Sequence, residues 1–220
     1  MIPQAAITHW RNHAPWAQDV QVEQDLVLSR ALIEIFRDPV AREGLLLRGG
    51  TALHKLVLKP PRRYSEDIDL VQASPGPIGP VLDAIRARLD PVLGSPRREH
   101  GPGGVTLRYR MESEIPPVSP LRLKIEINTR EHFTVFGTAS HEMSVTSPWF
   151  QGAAEVRTYT LDELLATKLR ALYQRRKGRD LFDLWVGAGL KAVDPGRVVQ
   201  AFRRYLEAEQ NRVERRDFEQ

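Results

Sequence analysis

The chain has 220 residues, of which 41% are hydrophobic and 27% charged, so it can bury a substantial core. It contains no cysteine, which excludes disulfides, thiol nucleophiles and cysteine-ligated zinc, and we expect a cytoplasmic protein. It has no run of about 18 apolar residues, so we expect no membrane-spanning helix. The formal charge is +4, and 26 of the 32 basic residues are arginine, which suits phosphate recognition. Codon bias in a GC-rich genome explains the arginine content equally well, so the charge only weakly favours an RNA or nucleotide partner.

The N-terminal residues 1–18 show no clear period and predict an arm or short helix that packs through Trp10 and Trp16. Residues 21–36 carry apolar side chains at helical spacing. The pair Asp38-Pro39 ends this helix and predicts a short turn.

The stretch from residue 45 to residue 71 carries the strongest chemical signal. Leu45–Leu47 predicts a buried strand, and Gly49, Gly50 and Thr51 then open a short helical segment that prolines terminate. A glycine pair after a strand lets backbone amides approach a phosphate closely. This turn therefore predicts a phosphate-binding site.

Asp67 and Asp69 alternate with Ile68 and Leu70, which predicts a strand with both carboxylates on one face. Two neighbouring carboxylates repel each other unless a cation lies between them. Carboxylate oxygens that share substrate phosphates are the usual ligands of Mg²⁺. The sequence thus predicts a divalent-metal site facing the phosphate turn.

The middle of the chain predicts a helix at residues 81–93, a flexible link at 94–104 and two alternating strands at 105–111 and 121–128 joined as a hairpin. In the link, Arg97, Arg98 and His100 favour a solvated loop over a polyanion contact. Residues 129–147 give no clear pattern, and residues 156–159 predict a short last strand.

Glu126 lies on the polar face of the second strand of that hairpin, with Lys124 on the same side. It can form a cross-strand salt bridge with Arg108 or Arg110, or it can act as a third carboxylate beside the two aspartates. The residues alone leave both interpretations open.

Thr160 and Glu163 have the spacing of a capping box and predict the start of a helix with a leucine stripe. Lys168 falls inside this stripe. Because lysine is rarely buried unpaired, either a carboxylate or a bound phosphate is expected to meet it. The alternative is a side chain that extends to the edge of the stripe.

Asp180 and Asp183 share one face of the next predicted helix. They can lie in an active-site pocket. Alternatively, they can interact favourably with the helix dipole at the N-terminus of this helix, while Asp183 forms an ion pair with Arg179. A last helix is predicted from Asp194, and the charged tail, residues 203–220, predicts a solvated end.

Four motifs, in order, resemble one known family. The strings LRGGTALHK and RRYSEDIDLV, then KIEIN, then LDELLATKLRAL and finally RDLFDL are similar to the motifs of the AbiEii/AbiGii toxin nucleotidyltransferases. This family is a branch of the DNA polymerase beta-type nucleotidyltransferase superfamily. The resemblance covers about residues 21 to 185.

The resemblance implies an α+β (α/β) fold, with a small mixed or antiparallel sheet flanked by helices. It implies a nucleotidyltransferase core with an N-terminal helix at residues 1–158 and a C-terminal helical region at residues 159–220 that completes the active-site cleft. It implies metal binding by Asp67 and Asp69, further catalytic roles for Glu126, Lys168 and Asp180, and nucleotide binding by Gly49, Gly50, Thr51, Ser65, Lys168 and Asp183. Glu126 would be a third carboxylate or the base. Lys55 also fits the motif but falls on the polar side of its helix.

The implied activity is Mg²⁺-dependent transfer (Mn²⁺ is possible) of a nucleoside monophosphate from an NTP to an RNA acceptor, expected to be the 3′ end of tRNA. The implied partners are the NTP, the RNA and a cognate antitoxin protein. The alternatives are an acceptor hydroxyl on a protein or small molecule, or an NTP-binding module without turnover.

Overall fold

The computed structural model describes residues 2–210 and 213. The helices are α1 (Gln4–Trp10), α2 (Asp19–Arg37), α3 (Pro39–Gly44), α4 (Gly49–Ala52), α5 (Gly79–Leu93), α6 (Leu161–Arg175), α7 (Gly178–Ala188) and α8 (Pro195–Ala208), with a π-helical turn (Leu53–Val57) directly after α4. The strands are β1 (Leu45–Arg48), β2 (Asp67–Gln72), β3 (Arg97–Gly101), β4 (Gly104–Glu112), β5 (Pro120–Asn128), β6 (Thr138–Thr146) and β7 (Gln151–Tyr159). Within these described residues, no helix combines the length and apolar character needed to cross a bilayer.

The chain forms two compact units. The first comprises Met1–Phe133 and Ser140–Thr158, and the second comprises Thr134–Ala139 and Tyr159–Gln220, in each case as far as the residues are described. The first unit contains α1 to α5 and most of the sheet, and the second contains α6, α7 and α8.

A seven-stranded sheet forms in the described part of the chain, in the order β3-β4-β5-β2-β1-β7-β6. β2 runs parallel to β5 and antiparallel to β1, which in turn runs parallel to β7. The two strands β4 and β5 pair antiparallel, which confirms the predicted hairpin. This mixed sheet with flanking helices confirms the predicted fold class.

Strand β1 lies between β2 and β7 in the interior of the sheet. Its residues Leu45, Leu46 and Leu47 are at most 4% exposed. A strand covered on both faces reads as a continuous apolar run, which is the pattern that predicted it.

Asp38 both ends α2 and begins α3. The residue before a proline avoids the helical conformation, and Asp38 accordingly has an extended backbone with ψ 126°. Its Oδ1 accepts hydrogen bonds from the backbone N–H groups of Val40 at 2.9 Å and Ala41 at 3.2 Å. The turn predicted after α2 is therefore a capped helix.

Two strands were not predicted. Residues 97–101, expected to be part of a flexible link, form β3 and pair with β4. Strand β6 lies in the segment that gave no clear pattern, and β7 begins at Gln151 rather than at residue 156. These segments form strands because their backbones pair with neighbouring strands, and the spacing of apolar residues in the sequence does not reveal such pairing.

The predicted capping box between Thr160 and Glu163 is wrong. Thr160 makes no side-chain capping bond to α6. The fully buried Glu163 carboxylate instead accepts from the backbone N–H groups of Val135 at 2.8 Å and Phe136 at 2.9 Å, and from the Tyr205 hydroxyl at 2.7 Å. Glu163 therefore ties α6 to α8 and to the segment Thr134–Ala139 within the second unit.

The charged tail was predicted to be solvated from residue 203 onward. In the structure, α8 continues to Ala208 and buries Tyr205 and Leu206. Residues 211, 212 and 214–220 of the tail lie outside the described residues.

Candidate active site

Three carboxylates project from one face of the neighbouring strands β2 and β5. Asp67 and Asp69 are partly exposed, while the intervening Ile68 and Leu70 are fully buried, as the alternation predicted. The two strands run parallel with Asp69 directly opposite Glu126. Because paired strands lie about 4.8 Å apart, the side chains of Asp69 and Glu126 leave the sheet as direct neighbours.

Lys124 bridges two of these carboxylates. Its Nζ lies 3.1 Å from Oδ2 of Asp67 and 3.2 Å from Oε2 of Glu126. Burial alone lowers the pKa of Lys124, but the hydrogen bond to Asp67 and the attraction of both carboxylates outweigh it and raise that pKa. Glu126 thus pairs with a lysine of its own strand, whereas Arg108 pairs with Glu99 at 3.0 Å.

The turn from β1 into α4 packs against Asp69. Gly49 has φ +78°, and a Cβ placed there would collide with the Asp69 carboxylate. The preceding residue, Arg48, is paired with Asp69 in the antiparallel register of β1 and β2, and its Nη1 donates to Oε2 of Glu131 at 2.8 Å. Glycine at position 49 is therefore required both by the backbone conformation and by the close approach to a carboxylate.

Gly50 and Thr51 are also tightly packed. A Cβ at Gly50 would collide with the guanidinium of Arg63. Thr51 is fully buried, and its Oγ1 lies 2.8 Å from Oγ of Ser65 and 2.5 Å from the carbonyl oxygen of Asp67, to which it donates. The Thr51 hydroxyl therefore fixes the start of β2.

A cavity of about 400 Å³ opens beside the carboxylates. The sheet contributes Arg48, Asp69 and Glu126 to its lining, and the β3–β4 hairpin contributes His100 and Gly104, among other residues. Gly104, at the start of β4, lies directly against β5, because a Cβ there would collide with the Ile127 backbone carbonyl. His100 therefore lines this cavity, although the sequence placed it in a solvated loop.

The carboxylates of Asp67, Asp69 and Glu126 are suitable ligands for a divalent metal, but they are not arranged as a formed metal site. Among residues 2–210 and 213, no group of three histidine or acidic side chains is arranged to hold a metal ion. The ammonium of Lys124 lies where it neutralises Asp67 and Glu126. A hard cation with oxygen ligands at Asp67 would compete electrostatically with the Lys124 ammonium, which contacts Oδ2 of that carboxylate.

The second unit contains its own charged cluster. Nζ of Lys168 lies 3.1 Å from Oδ1 of Asp180 and 3.0 Å from Oδ2 of Asp183. Arg175 adds a two-pronged contact to Asp180, with Nε at 2.8 Å and Nη2 at 2.9 Å. Lys168 is 5% exposed and both aspartates are fully buried.

These contacts decide between the interpretations left open for Lys168. It is buried and meets two carboxylates, so the alternative in which it extends to the edge of the stripe is wrong. Burial alone would raise the pKa of Asp180, but hydrogen bonds and attraction from Arg175 and Lys168 lower it below its usual value. The aspartate is therefore ionised within a compensated buried network.

Lys55 is part of a different contact. Its Nζ donates to Oδ1 of the buried Asp25 at 2.6 Å, and Asp25 also accepts from Nε1 of Trp10 at 2.8 Å and of Trp16 at 3.0 Å. This network confirms that the N-terminal arm packs through its tryptophans. Lys55 joins the π-helical turn to α2.

Sequence reasoning missed Lys124, Arg48 and Arg175 as partners of the proposed site residues. Lys124 was visible on the same strand face as Glu126, but its contact with Asp67 depends on the β2–β5 register. Nothing in the sequence distinguishes Arg48 and Arg175 from the other arginines, of which the chain has 26 in total.

Comparison with known proteins agrees with this architecture. A sequence model described as "Nucleotidyl transferase AbiEii toxin, Type IV TA system" matches residues 30–220. The fold is similar to that of MenT4, a nucleotidyltransferase toxin from Mycobacterium tuberculosis, with TM-score 0.70 and 16% identity over 94% of this chain and 74% of that chain. It is also similar to JHP933 from Helicobacter pylori, with TM-score 0.54 and 20% identity over 79% of this chain and 68% of that one. None of the curated protein sequences compared with this chain matches it.

The structural similarities show the fold, and the family match extends over most of the chain, including the β2, β5, α6 and α7 segments described above. The chain therefore belongs to the AbiEii nucleotidyl transferase toxin family of type IV toxin–antitoxin systems, and it is a nucleotidyltransferase.

Proposed function

We propose that this toxin transfers a nucleoside monophosphate from an NTP to the 3′ end of an RNA, with tRNA as the acceptor. The observation that carries the proposal is the register of β2 and β5, which sets Asp69 opposite Glu126 with Asp67 on the same face beside a cavity. Enzymes catalyse phosphoryl transfer mainly by positioning the reacting groups and by stabilising the charge of the transition state. We assign both tasks to the strand face that carries Asp67, Asp69 and Glu126.

The reaction forms one bond and breaks one. The 3′-hydroxyl oxygen of the acceptor attacks the α-phosphorus, the bond to the leaving phosphate breaks, and pyrophosphate departs. Glu126 accepts the hydroxyl proton or serves as a third carboxylate ligand. Its 45% exposed side chain can reach a substrate in the adjoining cavity.

Asp67 and Asp69 are the proposed ligands of Mg²⁺, with Mn²⁺ as an alternative. Held by these carboxylates, such a metal would supply positive charge to the transferring phosphoryl group. Lys124 supplies the positive charge at Asp67 and Glu126 when that metal is absent.

In the first unit, the proposed triphosphate contacts are Gly49 and Gly50 through their backbones and the Ser65 hydroxyl. In the second unit, Lys168 and Asp183 are the proposed nucleotide contacts. The absence of Cβ atoms at the glycines leaves room for close backbone approach. Thr51 is also a proposed nucleotide contact, and its hydroxyl holds Ser65 and the start of β2. Asp180 and Asp183 fix the Nζ of Lys168 from two sides, with Asp180 itself held by Arg175.

The basic, arginine-rich composition supports an RNA acceptor. The family membership implies an NTP substrate and a cognate antitoxin. We place the reaction in the cytoplasm, where NTPs and tRNA are present.

The test is incubation of the protein with each labelled NTP, MgCl₂ and total RNA, followed by sequencing of RNA 3′ ends. Label in RNA supports the proposal, whereas label in protein or a small-molecule fraction assigns a different acceptor. NTP binding without pyrophosphate release would indicate a module without turnover. Asp67→Asn and Asp69→Asn should each lower transfer by about a hundredfold or more, because metal stabilisation of the transition state contributes several kcal/mol.

The matched control is Asp83→Asn, which neutralises an exposed aspartate on α5 and should leave transfer unchanged. Full activity in Asp67→Asn or Asp69→Asn would refute the mechanism.

A further inference from the structure

Helix α7 presents an unusual exposed face. Leu181 is 58% exposed and Trp185 is 72% exposed, which is high for large apolar side chains. They are four residues apart and so lie in one row along the helix, about 6 Å apart along its axis. Phe182 lies beside the row, with its ring centroid 6.0 Å from that of Trp185.

Three cations flank this row at its N-terminal end. Arg176, Lys177 and Arg179 are exposed, and within residues 2–210 and 213 none of their side chains has an ion-pair partner. Lys177 is the N-cap residue of α7 and directly precedes its first residue, Gly178. We call Arg176, Lys177, Arg179, Leu181 and Trp185 together the α7 surface.

The acidic residues of α7 do not offset this charge on the outside. Asp180 and Asp183 are fully buried and are bound by Lys168 and Arg175. The helix therefore turns its carboxylates inward and leaves only positive charge and apolar area on its exposed face.

We infer that the α7 surface binds single-stranded RNA, with a base stacked on Trp185 and backbone phosphates at Arg176, Lys177 and Arg179. This inference rests on the proposed RNA acceptor and names the part of the protein that would engage it. Single-stranded nucleic acids bind where a positive surface follows the backbone and exposed aromatic rings stack on the bases. The α7 surface combines both elements between Arg176 and Trp185.

The chemistry favours RNA over other occupants. A stable protein interface buries about 800 Å² on each partner, and a row of two large apolar side chains beside three like charges offers little of that area. An interfacial membrane helix needs a broad apolar face, whereas the exposed large apolar side chains of α7 are Leu181 and Trp185. A polyanion with flat bases complements both the charge and the exposed ring.

The binding test uses a fluorescently labelled short single-stranded RNA, without NTP, and measures anisotropy for the full chain and its variants. Trp185→Ala should weaken binding by about 5- to 150-fold, because one base–aromatic stack is lost. Trp185→Phe keeps an aromatic face and should stay within about threefold of the wild type. Trp185→Leu keeps apolar area without a stacking ring and should behave like Trp185→Ala.

The charge test measures the salt dependence of binding. The triple variant R176Q/K177Q/R179Q should flatten the slope of log K against log salt by about 2, since each phosphate contact on a single strand contributes about 0.7. The matched control R42Q/K59Q/R203Q removes the same charge from exposed positions elsewhere and should leave the slope close to that of the wild type. Melting curves verify that all variants fold.

The outcomes separate this inference from the proposed function. RNA affinity that is unchanged in Trp185→Ala, or a slope lowered equally by both triple variants, overturns the α7 surface even if RNA is labelled in the transfer assay. Wild-type affinity in Trp185→Leu likewise overturns stacking and points to a protein partner. RNA binding that depends on the α7 surface, together with label found only in protein, supports the surface and refutes the RNA acceptor.

Discussion

The ammonium of Lys124 lies 3.1 Å from Oδ2 of Asp67, a proposed metal ligand, and 3.2 Å from Oε2 of Glu126. Without a cation these carboxylates would repel each other across adjacent strands. Lys124 therefore holds the sheet face together before a metal binds, and a metal would compete with it for Asp67.

Replacing Lys124 by methionine should reveal this competition. Lys124→Met should lower the free energy of unfolding by about 1 kcal/mol without metal, because two partly exposed ion pairs are lost. Added MgCl₂ should stabilise this variant more than the wild type, since the metal no longer competes with a neighbouring ammonium. Urea unfolding with and without MgCl₂ measures both effects.

Arg86→Met is the control, because it removes an exposed ion pair with Asp90 on α5. It should show the same response to MgCl₂ as the wild type. An equal Mg²⁺ response in Lys124→Met and Arg86→Met would show that Lys124 and the metal do not share a site.

Gly49 offers a comparison with an otherwise similar glycine. Gly49 and Gly94 have φ values of +78° and +76°, but only a Cβ at Gly49 would collide with a side chain, the Asp69 carboxylate. Gly94, with φ 76° and ψ −178°, lies in a backbone region that almost only glycine adopts, so Gly94→Ala should cost about 1–3 kcal/mol of stability from backbone strain alone. Gly49→Ala should cost more and should also reduce nucleotidyl transfer by displacing Asp69. Thermal melts and the transfer assay together measure the difference, and identical behaviour of the two variants would contradict the close approach.

Lys168→Met should strongly destabilise the second unit. It removes the ammonium that Asp180 and Asp183 share, and breaking a buried ion pair by removing one partner costs about 3–5 kcal/mol. Asp183→Asn added to this variant should recover part of the loss, because Arg175 still pairs with Asp180. Urea unfolding measures these changes, with the exposed Lys191→Met as a control expected to shift stability by less than about 0.5 kcal/mol. A fully stable Lys168→Met protein would show that the cluster contributes little.

The stability of this cluster should depend on acid pH. The pKa of Asp180 lies below its ordinary value of 3.8, so the folded state prefers the ionised carboxylate. Its contribution is fully present above that value and is lost as the pH falls through the lower, folded-state pKa. The stability difference between wild type and Asp180→Asn should therefore shrink between about pH 5 and pH 2.5 in urea titrations. A difference that stays constant over this range would contradict the lowered pKa.

Local patterns determined much of this protein. The alternation in β2 and β5 assigned Asp67, Asp69 and Glu126 to the polar side of their strands, because a side-chain period of two is a property of any strand. The unbroken leucines of β1 indicated burial on both faces, and Lys168 inside a leucine stripe indicated a buried partner. The order of the motifs indicated the nucleotidyltransferase family, which the match over residues 30–220 established.

Only the tertiary structure decided which of these groups meet. The contact of Lys124 with Asp67 depends on the register of two strands more than 50 residues apart, and the partners of Glu163 come from a loop and from α8. Strands β3 and β6 became ordered through pairing with their neighbours. Register and long-range pairing are set by how the whole chain packs, so periodicity within one segment cannot report them.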